Sequence, residues 1–229
     1  MIKHTSFACT LLALLGLSQA STAVDWGQVD DFQDGTTQNW ITNALGQGGG
    51  PPPVNIPNGG PSGSGDAYMQ LTSLGGTGAG SKMVVLNGMQ WSGDYTAASV
   101  TMLTMNVNNL GQNDLHLRIL FEDPFMGPPN NIACSTVPVI VPAGSGWMSA
   151  LFPVAVGDLT ALLGNTSTVL SNNTVLRIYH GVATGYPGQP IEAMLGVDNI
   201  TAVPEPTTAA LTGLGLTALI VRRRLRPRS

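Results

Sequence analysis

Two hundred and twenty-nine residues suffice for one domain of ordinary size or two small ones. The chain carries 29 Gly and 16 Pro and is only 10% charged, but 43% of it is hydrophobic, so it can bury a core and is not composed as a disordered segment. The formal net charge of −4 averages two unlike regions: five arginines fall in the last eight positions, whereas Val24 to Val203 holds twelve acidic residues against Lys82, Arg118 and Arg177, about −9. An acidic body of this kind speaks against nucleic acid as a partner, since such binding needs clustered Lys and Arg to displace counterions.

Residues 1–20 read as a secretory signal peptide to be removed by signal peptidase. Lys3 and His4 give a basic start, Phe7 to Leu17 is an unbroken run of apolar and small residues, and Ser18-Gln19-Ala20 offers small residues at the cleavage site. Ser21-Thr22-Ala23 is a second acceptable site, so cleavage falls between 20 and 23. Removal takes Cys9 with it and leaves Cys134 alone, which precludes an internal disulfide.

Residues 24–203 read as one β-rich domain interrupted by a Gly/Pro-rich loop, 46–65, whose sequence has almost no side chains able to build a core. Strands are expected at Ala67–Thr72, Ser81–Leu86, Val100–Val107, Leu115–Glu122, Thr136–Val141, Trp147–Val154, Val175–His180 and Leu195–Thr201. Leu115–Glu122 alternates most cleanly, with Leu115, Leu117, Ile119 and Phe121 on one face and His116, Arg118 and Glu122 on the other. Prolines demote Thr136–Val141 and Trp147–Val154 to edges or bulges. Asp158–Leu163 alone reads as helix, capped by Asp158 and stopped by Gly164. The expected fold is all-β, an antiparallel β-sandwich with one short helix.

Asp31-Phe32-Gln33-Asp34-Gly35 followed by Trp40, together with Leu195-Gly196-Val197-Asp198-Asn199-Ile200, resembles the opening and closing strands of galactose-binding-like jelly rolls and related carbohydrate-binding modules. The resemblance implies that the first and last strands lie side by side, often around a structural calcium. By position Gln33 stands where an acidic ligand is usual and Asp198 supplies the carboxylate from the last strand. Gln33 lacks a charge, which weakens a calcium site, and Asp31 is a possible substitute.

The C-terminus, 204–229, has three parts in order: Pro204-Glu205-Pro206, an apolar segment 207–221, and a cluster of Arg222, Arg223, Arg224, Arg226 and Arg228. Fifteen helical residues reach about 22 Å against a hydrocarbon core of about 30 Å, a marginal transmembrane helix whose arginines belong in the cytoplasm. These residues allow a plain anchor or a segment held briefly and then processed. Their order and spacing resemble the PEP-CTERM sorting signal of Gram-negative bacteria with exopolysaccharide, and residues 31–203 resemble a body type that recurs with that signal. The resemblance implies an exosortase-type membrane protease as partner, then release or transfer to the cell surface or extracellular matrix.

Residues able to do chemistry are scarce. His116 and His180 have no metal-ligand spacing and are expected as partly exposed strand residues. Glu122 and Glu192 are the only glutamates of the body, and Glu122, at a strand end, is expected to face solvent. Gly75–Gly80 lacks the residues of a phosphate-binding loop. A non-enzymatic exported protein is therefore the first expectation, and a carbohydrate-binding module engaging exopolysaccharide the alternative. For sugar stacking the candidates are Trp91 and Tyr95, which flank Ser92-Gly93-Asp94, although Trp40, Trp91 and Trp147 each suit a core or loop-packing position better. Arg177 and Tyr179 share one strand face and His116 and Arg118 another, so neighbouring strands would join them in a polar patch. Trp26, near the mature N-terminus, is expected to be disordered.

Overall fold

The computed structural model describes residues 23–42, 50–78, 80–124 and 127–204. Residues 1–20, read above as a signal peptide, and the residues of the expected sorting signal from Glu205 onward lie outside them; Pro204 is the last described residue.

Two antiparallel sheets face each other. The first has the order β2 (Val54–Ile56), β3 (Tyr68–Leu74), β12 (Glu192–Pro204), β5 (Val100–Asn109), β9 (Trp147–Pro153), and β1 (Val29–Asp30) pairs with the far end of β12. The second has the order β10 (Leu159–Leu163), β7 (Asn131–Ser135), β6 (Leu115–Asp123), β11 (Val175–His180), β4 (Val84–Asn87), with β8 (Val139–Val141) against the start of β6. The first and last strands do lie side by side, Val29 opposite Thr201 and Asp30 opposite Ile200.

The alternating residues of β6 fill the space between the sheets: Leu115, Leu117, Ile119 and Phe121 are all buried, against Leu103, Met105 and Val107 of β5 and Leu195 and Val197 of β12 in one core. Alternation along β12 would then send Ile200 and Ala202 outward. A bulge at Asp198–Asn199, where Asn199 is left-handed (φ 51°), moves the register by one and returns both to the core.

Three expectations need correction. Asp158–Leu163 is not a helix: a single 3-10 turn, Val156–Asp158, leads into β10, whose Leu159, Thr160 and Ala161 pair with Ser135, Cys134 and Ala133 of β7. Pairing to a strand edge satisfies this backbone, and the alternating Leu-Thr-Ala sequence suits it. The helix is α1 (Thr166–Ser171), eight residues later than expected, with Asn165 as its cap: Oδ1 accepts from the Ser167 and Thr168 amides at 2.8 and 3.2 Å. The Gly/Pro-rich segment 46–65 is not loop throughout, because Val54–Ile56 forms an edge strand on β3 immediately after Pro51-Pro52-Pro53.

Candidate functional site

Arg118, Arg177 and Tyr179 do meet, because β6 and β11 are neighbours and Arg118 is paired with Tyr179. They do not form an open patch, and this corrects the expectation of a binding surface there. Arg118 is buried and spends its guanidinium on four carbonyls, Ser135 and Thr136 at the β7 end and Gly181 and Val182 beyond β11. Arg177 makes a buried ion pair with Glu122, Nη2 to Oε2 2.9 Å, with a second bond from Nε at 3.0 Å. Glu122 therefore turns away from solvent, contrary to expectation. Tyr186 lies under the Arg177 guanidinium (5.1 Å) and edge-on to Tyr179 (5.8 Å), so segment 181–190 folds back across this face. Tyr179 is fully buried and its hydroxyl has no hydrogen-bond partner among the described residues. Burial first, then the neighbouring Cys134 thiol, pushes its ionisation far up.

His180 is also buried, against expectation. Its Nδ1 accepts the His116 backbone amide at 3.1 Å, and the two rings meet edge to face at 5.9 Å. Burial, and secondarily His116, hold its pKa below the usual histidine value of 6.5. A lowered folded-state value means that the stability from neutral His180 is complete above the unfolded value and lost as pH falls through the folded one. His180→Ala should cost about 1–3 kcal/mol at pH 7.5 by orphaning the His116 amide, and the gap to wild type should narrow toward pH 5. Thermal melts of the two proteins at both pH values check this; a gap independent of pH would contradict it.

At the junction of first and last strands, Gln33 Nε2 stands among three oxygens: Asp66 Oδ1 at 2.8 Å, the Asp31 carbonyl at 3.1 Å and the Ala67 carbonyl at 3.2 Å. Asp198 is fully buried, and both its oxygens turn to Asn199, accepting the amide at 2.8 Å and Nδ2 at 3.0 Å. Burial raises its pKa to about 7, with Asp66 and Asp31 adding to the rise and the Asn199 amide opposing it. An N–H donor at the hub is the wrong chemistry for a cation, and among the described residues no group of three or more His, Cys, Asp or Glu is arranged to hold a metal. In this arrangement Asp31, Gln33 and Asp198 do not fit a calcium ion.

Trp91 and Tyr95 are core residues, which corrects their assignment as stacking platforms. Trp91 has no exposed surface, and Tyr95 packs edge-on to Phe121 at 4.9 Å while its hydroxyl donates to the Trp91 carbonyl. What the sequence concealed is the partner of the indoles. Asp30, buried at the end of β1, accepts Nε1–H of Trp40 at 2.7 Å and of Trp91 at 2.6 Å on one oxygen, and Gln90 Nε2 reaches both oxygens at 3.1 and 3.3 Å. Burial raises the Asp30 pKa, and the Trp91, Trp40 and Gln90 bonds pull against that rise.

Above Asp30 the molecule opens into a cleft of about 870 Å3 between the 34–39 turn and the 88–92 turn. Gln90 crosses its floor, donating to the Gln38 carbonyl at 2.7 Å and accepting from Asn39 Nδ2 at 3.1 Å. Gln38 and Asn39 are both left-handed, φ 47° and 64°. The sequence signal is the acid pair Asp30-Asp31 at the end of β1, just before Phe32, and it does not say which carboxylate goes inward.

No family model matches the sequence, and no curated protein matches it. Solved structures do. The family 11 carbohydrate-binding module from Clostridium thermocellum, in complex with a β-1,3-1,4-mixed-linked tetrasaccharide, superposes with a TM-score of 0.52 at 13% identity over 78% of this chain and 95% of that one. The same family's module from the C. thermocellum cellulosomal cellulase Lic26A-Cel5E gives 0.50 at 13%, over 79% and 95%. An exo-β-agarase gives 0.52 at 13% over 80% of this chain, but only 25% of its own length is covered. Over its described residues the chain thus has a jelly-roll fold like that of these carbohydrate-binding modules, in two antiparallel sheets with one α-helix.

Proposed function

We propose that this chain is an exported, non-catalytic protein of the cell surface or extracellular matrix, and that its jelly-roll body binds polysaccharide. The observation that supports the binding half is the fold: 95% of a solved carbohydrate-binding module is matched by the body of this chain. Glu122, one of the body's two glutamates, is buried against Arg177 and so is not free for the paired-carboxylate chemistry of glycoside hydrolysis. The export half rests on sequence: the leader at 1–20, Pro204-Glu205-Pro206, the apolar run 207–221 and the arginines at 222–228. On this reading a signal peptidase and an exosortase-type protease act on the two ends.

Two measurements test the reading. Mature protein from the cell surface should lack Arg222–Ser229 by mass spectrometry; an intact arginine cluster in that fraction would refute processing. The purified body should bind at least one polysaccharide in a panel of mixed-linkage β-glucan, xylan, agarose, alginate and the native matrix polysaccharide, measured by affinity electrophoresis and calorimetry. Absence of binding across the panel would refute the carbohydrate-binding half.

A further inference from the structure

We propose that the cleft between the 34–39 and 88–92 turns, with Trp26 at its rim, holds a segment of an uncharged polysaccharide. The inference rests on the carbohydrate-binding reading and gives it a place and a ligand class. At about 870 Å3 the cleft lies within the size range of small-molecule and oligosaccharide sites. Its walls present Thr36, Gln38, Asn39 and Gln90 with the Asp34 carboxylate, groups that both donate to and accept from sugar hydroxyls.

These groups are fixed before any ligand arrives. Gln90 is held by buried Asp30 and in turn holds Asn39, and Asp34 Oδ1 takes both the amide and the hydroxyl of Thr36 at 2.8 Å. Such fixing reduces the entropy lost on binding. The left-handed conformations of Gln38 and Asn39 are disfavoured for residues with side chains, and strain of this kind collects at ligand clamps.

Trp26 supplies the apolar surface. It is 64% exposed, and the chain on either side of it is tied to the 88–92 wall: the Val24 amide donates to the Ser92 carbonyl at 2.6 Å, and Gln28 Nε2 to the Gln90 carbonyl at 3.0 Å. Met89, 60% exposed, stands on the same wall. An exposed indole whose chain neighbours are tied to one wall of a polar cleft suits the C–H face of a pyranose.

Charge selects the class. Asp30 and Asp34 line the cleft and, among the described residues, no Lys or Arg does; Asp34 is held ionised by the Thr36 amide, which lowers its pKa. Uronate and sulfated glycans would be repelled, and neutral ones would not. The face bearing Tyr179 and Arg118 is crossed by segment 181–190, whose Tyr186 packs on Arg177 and Tyr179.

The test uses the same panel with the secreted body. Wild type should bind a neutral member, and acrylamide quenching of tryptophan fluorescence should fall on binding, since Trp40 and Trp91 are already shielded. Trp26→Ala should weaken binding at least tenfold and Asn39→Ala several-fold, with wild-type circular dichroism and melting temperature. Tyr179→Phe should bind as wild type does. If wild type binds and Trp26→Ala and Asn39→Ala bind equally well, the cleft is not the site, while the carbohydrate-binding reading stands. Preference for alginate over every neutral glycan would overturn the ligand class. A wild type that binds nothing refutes the reading itself.

Discussion

Asp30→Ala is expected to destabilise the domain by about 4 kcal/mol, or roughly 8–16 °C in melting temperature for a domain of this size. The loss does not come from a favourable buried charge. Burial outweighs the three donors and raises the Asp30 pKa, so ionising this group in the folded state is a net burden as pH rises through that value. It comes from what Asp30 serves: two indole N–H groups with no route to water, plus the amide of Gln90. Truncation orphans both indoles and opens a cavity beneath Trp40 and Trp91, whose rings stand 6.3 Å apart. Asp30→Asn should cost far less, about 1 kcal/mol, because an amide oxygen still accepts and no charge is buried. Thermal melts of the three proteins at pH 7.5 decide the matter. Equal losses for Ala and Asn would mean that the carboxylate charge, not the acceptor, holds the indoles.

The Glu122–Arg177 pair should behave as a unit. Removing either partner alone, as Glu122→Leu or Arg177→Met, strands a charge beneath Tyr186 and should cost about 3–5 kcal/mol. The double replacement leaves no charge to strand and should recover most of that loss, to within about 1–2 kcal/mol of wild type. Urea denaturation of the four proteins completes the cycle. Additive losses would mean that the two side chains act independently, and that this face is held by Tyr179, Tyr186 and the Arg118 bonds instead.

The strands were legible where one face is dry. Leu115–Glu122 and Val175–His180 alternate or run apolar because both lie in the interior of the second sheet. β7 left little trace, since Asn-Ile-Ala-Cys-Ser has small or polar side chains and its pairing comes from β6 and β10 on either side. The helix was misplaced because an Asp followed by Leu-Thr-Ala-Leu-Leu fits a capped helix as well as an edge strand. The segment that does coil, Thr-Ser-Thr-Val-Leu-Ser, consists of modest helix formers and depends on Asn165. At the sites, sequence brought Arg118, Arg177 and Tyr179 together but could not show that segment 181–190 returns over them. Trp91 was selected as an aromatic near a turn, and burial was invisible until Asp30 was seen to receive its N–H. Trp26 was set aside for its nearness to a chain end, whereas two hydrogen bonds to the 88–92 wall hold its neighbours in place.

The placement of β12 has a consequence in time. It is the last strand among the described residues, yet it stands in the middle of the first sheet, flanked by β3 and β5 and touched by β1 at its far end. β3 and β5 must each wait with one edge unpaired, and β1 without a partner, until residues 192–204 arrive. The residues that complete the sheet run without a spacer into Pro204, the first residue of the proposed sorting motif. A chain interrupted before that point would carry most of the domain's sequence and only half of its architecture.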